Sequence, residues 1–220
     1  MIHITQGGVI IDDGAIEKAR LEYEQTGLAM LPRFLTPPLL NALLAKVDVG
    51  EFRHKTEQYI KGATLLMPLS DPALVTLHFM VNRPELFDAV SRITGVPKPG
   101  NFTSRLHRTM PAEDLHLDWH DDGLDYRTLG LNINLSSVPY EGGILEMRSP
   151  DHTVVGSVGQ LPAGDAFLFR IGNGWQHRLT PVRSGHRTVA VGWFRTRPDW
   201  NDVALAGIRG SAIDLAVWGE

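Results

Sequence analysis

"HLDWHDD", residues 116–122, packs two histidines and three aspartates into seven positions. Drawn out as a strand, alternate side chains share a face. His116, Asp118, His120 and Asp122 then stand on one side, with Leu117 and Trp119 on the other. Two His-x-Asp triplets fit that face, His116/Asp118 and His120/Asp122, and either offers an imidazole and a carboxylate to one cation. Wound as a helix, the same stretch would turn two histidines four apart toward a zinc ion. The HExxH pattern of zinc hydrolases, however, needs Glu after the first His, where Leu117 stands. A charged edge strand with one apolar side accounts for the heptad with no chemistry at all.

The flanking sequence favours the strand. From Gly100 onward, short runs rich in β-branched and aromatic residues alternate with Gly, Pro and Asn turns: 102–110, 115–122, 128–136, 143–148, 153–155, 166–171 and 187–195. Strands at that density predict a sandwich, jelly roll or barrel. The first hundred residues predict mostly helix after a short strand over Val9–Ile11. Ile16, Ala19, Leu21 and Tyr23 give a helical pattern over 13–25, and Gly27 follows as a cap. "GLAMLPRFLT" predicts a strand running into a loop. Thr36 and Pro37-Pro38 suit the first turn of a helix through "LLNALLAKV", and "PELFDAVSRITG" (84–95) again opens on Pro and closes on Gly. With no repeat or low-complexity linker, the chain is expected to be one domain, mainly β with N-terminal helices. Residues 1–100 form the mostly helical elaboration, 101–197 the β core and 198–220 a tail packing on it.

Composition narrows the function. A chain of 220 residues with 43% hydrophobic and 21% charged content can bury a substantial core. A net charge of -4 gives no footprint for a phosphate backbone, so no obligatory nucleic-acid partner is expected. The absence of cysteine removes disulfides, iron–sulfur clusters and thiolate zinc sites, which leaves His, Asp and Glu as metal ligands. "MIHITQGGVIIDD" lacks the basic start and long apolar run of a secretion signal, and no apolar run of about 18 residues occurs, so a cytoplasmic protein without a membrane anchor is expected.

A His-x-Asp pair supplies two ligands, and a third from elsewhere completes a facial two-His-one-carboxylate set whose open positions suit Fe(II), a chelating cosubstrate and dioxygen. The segment 164–194, "GDAFLFRIGNGWQHRLTPVRSGHRTVAVGWF", offers His177, and ten residues later Arg187 opens "RTVAVGW". With "LNINLSSVPYEGGIL" (131–145), "GDAFLF", and His177 followed by Pro181, Gly185, Arg187 and Trp193, residues 102–196 resemble the 2-oxoglutarate and Fe(II)-dependent oxygenases. The likeness is to the prolyl-hydroxylase-like branch, built on a double-stranded β-helix jelly roll. "GLAMLPRFLTPPLLNALL" is similar to the helical elaboration of such enzymes.

The resemblance implies a cupin-like jelly roll flanked by helices and a dioxygenase that hydroxylates an unactivated C–H while converting 2-oxoglutarate to succinate. In that family the metal histidine follows a strand-ending turn by about nine residues. Counting from Pro111, in the turn Met110-Pro111-Ala112, lands on His120, which favours His120 and Asp122 over His116 and Asp118. His120, Asp122 and His177 would then hold Fe(II). Arg187 would take the distal carboxylate of 2-oxoglutarate, for which an always-charged, two-pronged donor is suited. Asn134 would reach the cosubstrate, sharing a face with Asn132 and Ser136. The retained Asp122 speaks against halogenation, whose enzymes replace the carboxylate. Arg108 and Arg127 are candidates for a substrate carboxylate, with a surface ion pair as the alternative for each. Trp119, Trp175 and Trp193 are candidate pocket walls or plain core. The expected substrate is a small molecule, amino acid or short peptide. A zinc metallohydrolase and a non-catalytic cupin-like binding module are the alternatives.

Overall fold

The computed structural model describes residues 1–55, 60–61, 64–68, 70–111, 116–124 and 126–196, with the backbone alone at 54, 55, 60, 61, 64 and 116. The expected C-terminal tail, residue 112 of the expected turn and the side chain of His116 lie outside it. In chain order the N-terminal part comprises β1 (Ile2–Thr5), β2 (Gly8–Ile11), α1 (Asp13–Thr26), β3 (Leu28–Leu31), α2 (Pro37–Val49), β4 (Arg53–Lys55), β5 (Ile60–Lys61), β6 (Thr64–Leu66), α3 (Pro72–Val81) and α4 (Pro84–Thr94). There follow β7 (Asn101–Thr109), β8 (His116–His120), β9 (Arg127–Asn134), β10 (Glu141–Gly142), β11 (Leu145–Arg148), β12 (Val154–Val158), β13 (Ala166–Phe169), β14 (Gln176–Leu179), β15 (Val182–Ser184) and β16 (Arg187–Arg195). The first hundred residues are thus richer in strand than their composition predicts.

The helices form where local chemistry closes their ends. Asp12 caps α1 by accepting from the Ala15 N–H, and Gly27, at φ 72°, ends it by returning its N–H to the Tyr23 carbonyl. Pro sits in the first turn of α2, α3 and α4, where its missing N–H has no intrahelical partner to lose. Thr36 precedes α2 without a side-chain cap bond.

A seven-stranded sheet in the order β3-β13-β9-β16-β7-β6-β4 faces a five-stranded sheet in the order β12-β11-β14-β8-β5. β9, β13, β16 and β7 pair antiparallel throughout, as do β11, β14 and β8. This is the double-stranded β-helix layout. Period-two alternation divides β16 cleanly: Ala190 and Phe194 join Leu106, Leu129, Leu131 and Ile133 against the helices, while Trp193 joins the second core with Phe167, Phe169, Met147 and Leu145 between the two sheets. The inner face of β16 therefore carries Arg187, Val189, Val191 and Trp193.

Candidate metal centre

His120 ends β8, and His177 lies on β14 with its Cα directly opposite that of His120 in the ladder. Two imidazoles at one register position bring their rings to a centroid separation of 4.2 Å. Asp122 falls just beyond the strand, where the chain is released to turn back. One ligand atom from each of His120, Asp122 and His177 lies within 4.8 Å of the others, the one such His/Asp/Glu group among the described residues. His177 Nε2 is 3.4 Å from Asp122 Oδ2, and His120 Nε2 is 3.8 Å from Asp122 Oδ1. Asp118 lies one face-step earlier on β8 and is exposed.

Neighbours orient each group. His120 Nδ1 is 2.8 Å from the Asp118 carbonyl. A carbonyl only accepts, so Nδ1 carries the proton and Nε2 keeps its lone pair for a cation. Trp193 Nε1–H donates to Asp122 Oδ2 at 3.0 Å, reaching from the larger sheet to fix the carboxylate. Phe169 sets its ring edgewise to His177 with centroids 5.0 Å apart. His177 Nδ1 is buried with no hydrogen-bond partner among the described residues. Asp121 does not join the cluster. Its Oδ1 accepts from the N–H groups of Gly123, at 2.8 Å, and Gly172, at 2.7 Å, stapling the turn after β8 to the loop that leads into β14.

The electrostatics suit a cation. Burial alone would raise the Asp122 pKa, but the hydrogen bond and charge of His177, the charge of His120 and the Trp193 donor hold it well below the usual carboxylate range. Burial, then the adjacent His177, push His120 below the ordinary histidine value. At neutral pH the pair presents a carboxylate and a neutral imidazole. Two imidazoles and one carboxylate gathered along one edge, with the Nε2 of His120 unprotonated, fit a metal that keeps positions open for other ligands.

Arg187 is buried at the start of β16, on the same face as Trp193. Burial lowers its pKa, and Tyr140, through its charge and then by accepting a hydrogen bond from the guanidinium, opposes the shift. Its methylene chain crosses Gly143, at φ 59°, where an added Cβ would stand 2.9 Å from Arg187 Cδ; together with Gly142 at φ 78° this is a turn only glycine forms without strain. Asn134 is also buried and lies opposite Val189, but its amide is engaged: Nδ2 donates to the Leu161 carbonyl at 2.5 Å and Oδ1 accepts from Ser136 N at 3.2 Å. Ser136 Oγ in turn donates to the Thr188 carbonyl.

The remaining candidates separate. Arg108 faces the helices, donating to Thr188 Oγ1 and to the Val47 carbonyl and lying over Phe52, on the far side of the sheet from the triad. Arg127 lies over Trp193. Trp119 is held between Arg148 and Arg178 on the face of β8 opposite His120, and so walls no part of the centre. Trp175 stacks with Arg170. Sequence reasoning missed the Asp121 staple, the Tyr140 neighbour of Arg187 and the bond from Trp193 to Asp122. Only the last left a signal: the even spacing from Arg187 to Trp193.

Residues 104–195 match the family model of the 2OG-Fe(II) oxygenase superfamily. Solved structures share the fold. A prolyl-4-hydroxylase of Pseudomonas putida is 21% identical with a TM-score of 0.64, covering 83% of this chain and 99% of its own. A prolyl hydroxylase of Trichoplax adhaerens, in complex with a hypoxia inducible factor oxygen degradation domain peptide fragment, is 17% identical with a TM-score of 0.62 over 88% and 93%. The non-heme alpha ketoglutarate dependent epimerase SnoN of nogalamycin biosynthesis is 15% identical with a TM-score of 0.62 over 83% of each chain. No curated protein sequence matches this chain. Over residues 104–195 the chain is similar to the 2OG-Fe(II) oxygenase superfamily, and its fold is the jelly roll shared with the prolyl hydroxylases. It is a 2-oxoglutarate-dependent dioxygenase whose cofactor is Fe(II) and whose cosubstrates are 2-oxoglutarate and dioxygen. Among the described residues no helix is long and apolar enough to cross a membrane.

Proposed function

We propose that this chain, working as one cytoplasmic domain, hydroxylates an unactivated C–H of a small molecule, amino acid or short peptide, with release of succinate and CO2. The observation that carries the reading is the convergence of His120, Asp122 and His177 within 4.8 Å at the smaller sheet, while the inner face of the larger sheet bears a buried arginine. In this reading the three residues hold Fe(II), which when bound supplies the oxidising chemistry that couples 2-oxoglutarate decarboxylation to substrate oxidation.

Everything else falls to the protein. His120 keeps its Nε2 lone pair toward the ion because the Asp118 carbonyl holds the proton on Nδ1. Trp193 fixes one carboxylate oxygen, which limits Asp122 to a defined approach. Arg187, with Tyr140 beside it, receives the distal carboxylate of 2-oxoglutarate, and a guanidinium buried this deeply needs such an anion to offset its desolvation. Asn134 supports that pocket from β9 and keeps one amide N–H beyond its bond to Leu161. Phe169, whose ring meets that of His177, and Val189 and Val191 on the inner face of β16 give the centre apolar surroundings that limit the access of water.

The test is succinate release from the Fe(II)-loaded chain, screened with amino acids, short peptides and metabolites, followed by the mass of the product. Substrate-stimulated succinate with a product gaining one oxygen atom is expected. No 2-oxoglutarate turnover, or a product that is isomerised or cyclised without gain of oxygen, would contradict hydroxylation.

A further inference from the structure

Arg127 is a candidate from the sequence that lies beside the centre and that the oxygenase reading leaves without a role. Its guanidinium lies over the Trp193 indole, 4.0 Å from the ring centre, and that indole donates to Asp122. The triad, the indole and the guanidinium thus form one contiguous set. Stacking holds the guanidinium by its face and uses none of the N–H donors along its edges. Among the described residues no oxygen accepts a hydrogen bond from Arg127, although the residue is only partly exposed. Burial, with the charges of Arg105 and Arg195, pushes Arg127 below its ordinary value against the pull of Asp122 and Tyr126. Asp122 cannot satisfy it, because that carboxylate is turned to Trp193 and the two imidazoles.

A half-desolvated cation with its forked edge unused is a receptor for an acceptor brought from outside. A neutral carbonyl would leave the charge uncompensated. A carboxylate accepts two parallel N–H bonds and neutralises it. We propose that Arg127 anchors the primary substrate through a carboxylate, so that the substrate class is a free acid, such as an amino acid or a peptide's C-terminal residue, rather than an interior peptide segment. The inference rests on the oxygenase reading. Arg127 and Asp122 contact the same indole, so an acid held at one keeps its nearby carbons within a small molecule's reach of the other.

The test uses the full chain labelled with 15N-arginine, loaded with Zn(II) as a diamagnetic stand-in and saturated with 2-oxoglutarate so that the Arg187 region is filled. Resonances are assigned by their loss in Arg127→Lys and Arg187→Lys. Acetate is expected to shift the Arg127 Nε–H saturably, at concentrations about tenfold below those at which N-methylacetamide does so. The acetate shifts of the remaining arginines should stay small. Equal or stronger response to N-methylacetamide would replace the acid with a peptide carbonyl, and no saturable shift by either probe would overturn the anchoring role. Failure of the underlying reading is separately visible: 2-oxoglutarate would then leave the Arg187 Nε–H unmoved, whatever acetate does at Arg127.

Discussion

At the scale of single residues, the centre is governed by who holds each ligand as much as by the ligands. Trp193 contributes one hydrogen bond to Asp122, and such outer partners tune affinity by roughly 10–100-fold. Trp193→Phe, which keeps the ring and removes the donor, should weaken Fe(II) binding by about tenfold in an anaerobic titration. Unchanged affinity would show that Asp122 is oriented by the fold alone. Arg187 invites a second substitution. Lys keeps the charge but not the fork, so Arg187→Lys should raise the apparent Km for 2-oxoglutarate by about tenfold or more with little change in Fe(II) affinity. Equal Km values would remove Arg187 from the cosubstrate pocket. The residue types of a facial triad are legible in "HLDWHDD" and His177. Which triplet meets His177 is not, because both sit on one face at strand spacing. The family interval counted from Pro111 favours His120, and the ladder sets His120 opposite His177.

At the scale of elements, the long inner strands are readable and the short polar ones are not. β16 spans the predicted 187–195 because its β-branched and aromatic run is bounded by the Gly185 turn. β14 was hidden: Gln176, His177 and Arg178 give no apolar alternation, and their extended state comes from pairing with β11 on one side and β8 on the other. α3 was hidden for the opposite reason. "PALVTLHFMV" is apolar on nearly every side, so no helical period shows, and its burial between neighbouring elements decides the structure. That burial includes His78, whose Nε2 accepts from Ser104 N at 2.9 Å on β7. Burial lowers its pKa from 6.5 to about 4. The folded chain therefore refuses a proton that the unfolded chain accepts. Stability is full above the unfolded value of 6.5 and falls as the pH drops toward 4. Between pH 7 and 5 the contribution is about 2 kcal/mol. Urea unfolding should show that much less pH dependence in His78→Gln than in the parent, and parallel curves would mean His78 titrates normally.

At the scale of the whole molecule, the fold supplies the centre by facing two sheets. His120 and His177 come from the smaller sheet, Trp193 and Arg187 from the larger, and the helices brace the larger sheet from behind. Ligands that bridge the sheets should therefore stabilise the whole domain. With Fe(II) present and oxygen excluded, 2-oxoglutarate at about a hundred times its Kd should add roughly 2.7 kcal/mol and raise Tm. At the same concentration 2-oxobutyrate, which lacks the distal carboxylate, should raise it clearly less. Equal shifts would mean that nothing in the barrel recognises that carboxylate. Beneath all of these predictions lies the identity of the metal ligands, which anaerobic Fe(II) titration of Asp122→Ala beside Asp118→Ala tests most directly. Loss of binding in Asp122→Ala with near-parental binding in Asp118→Ala is the predicted result, and the reverse pattern would contradict the account.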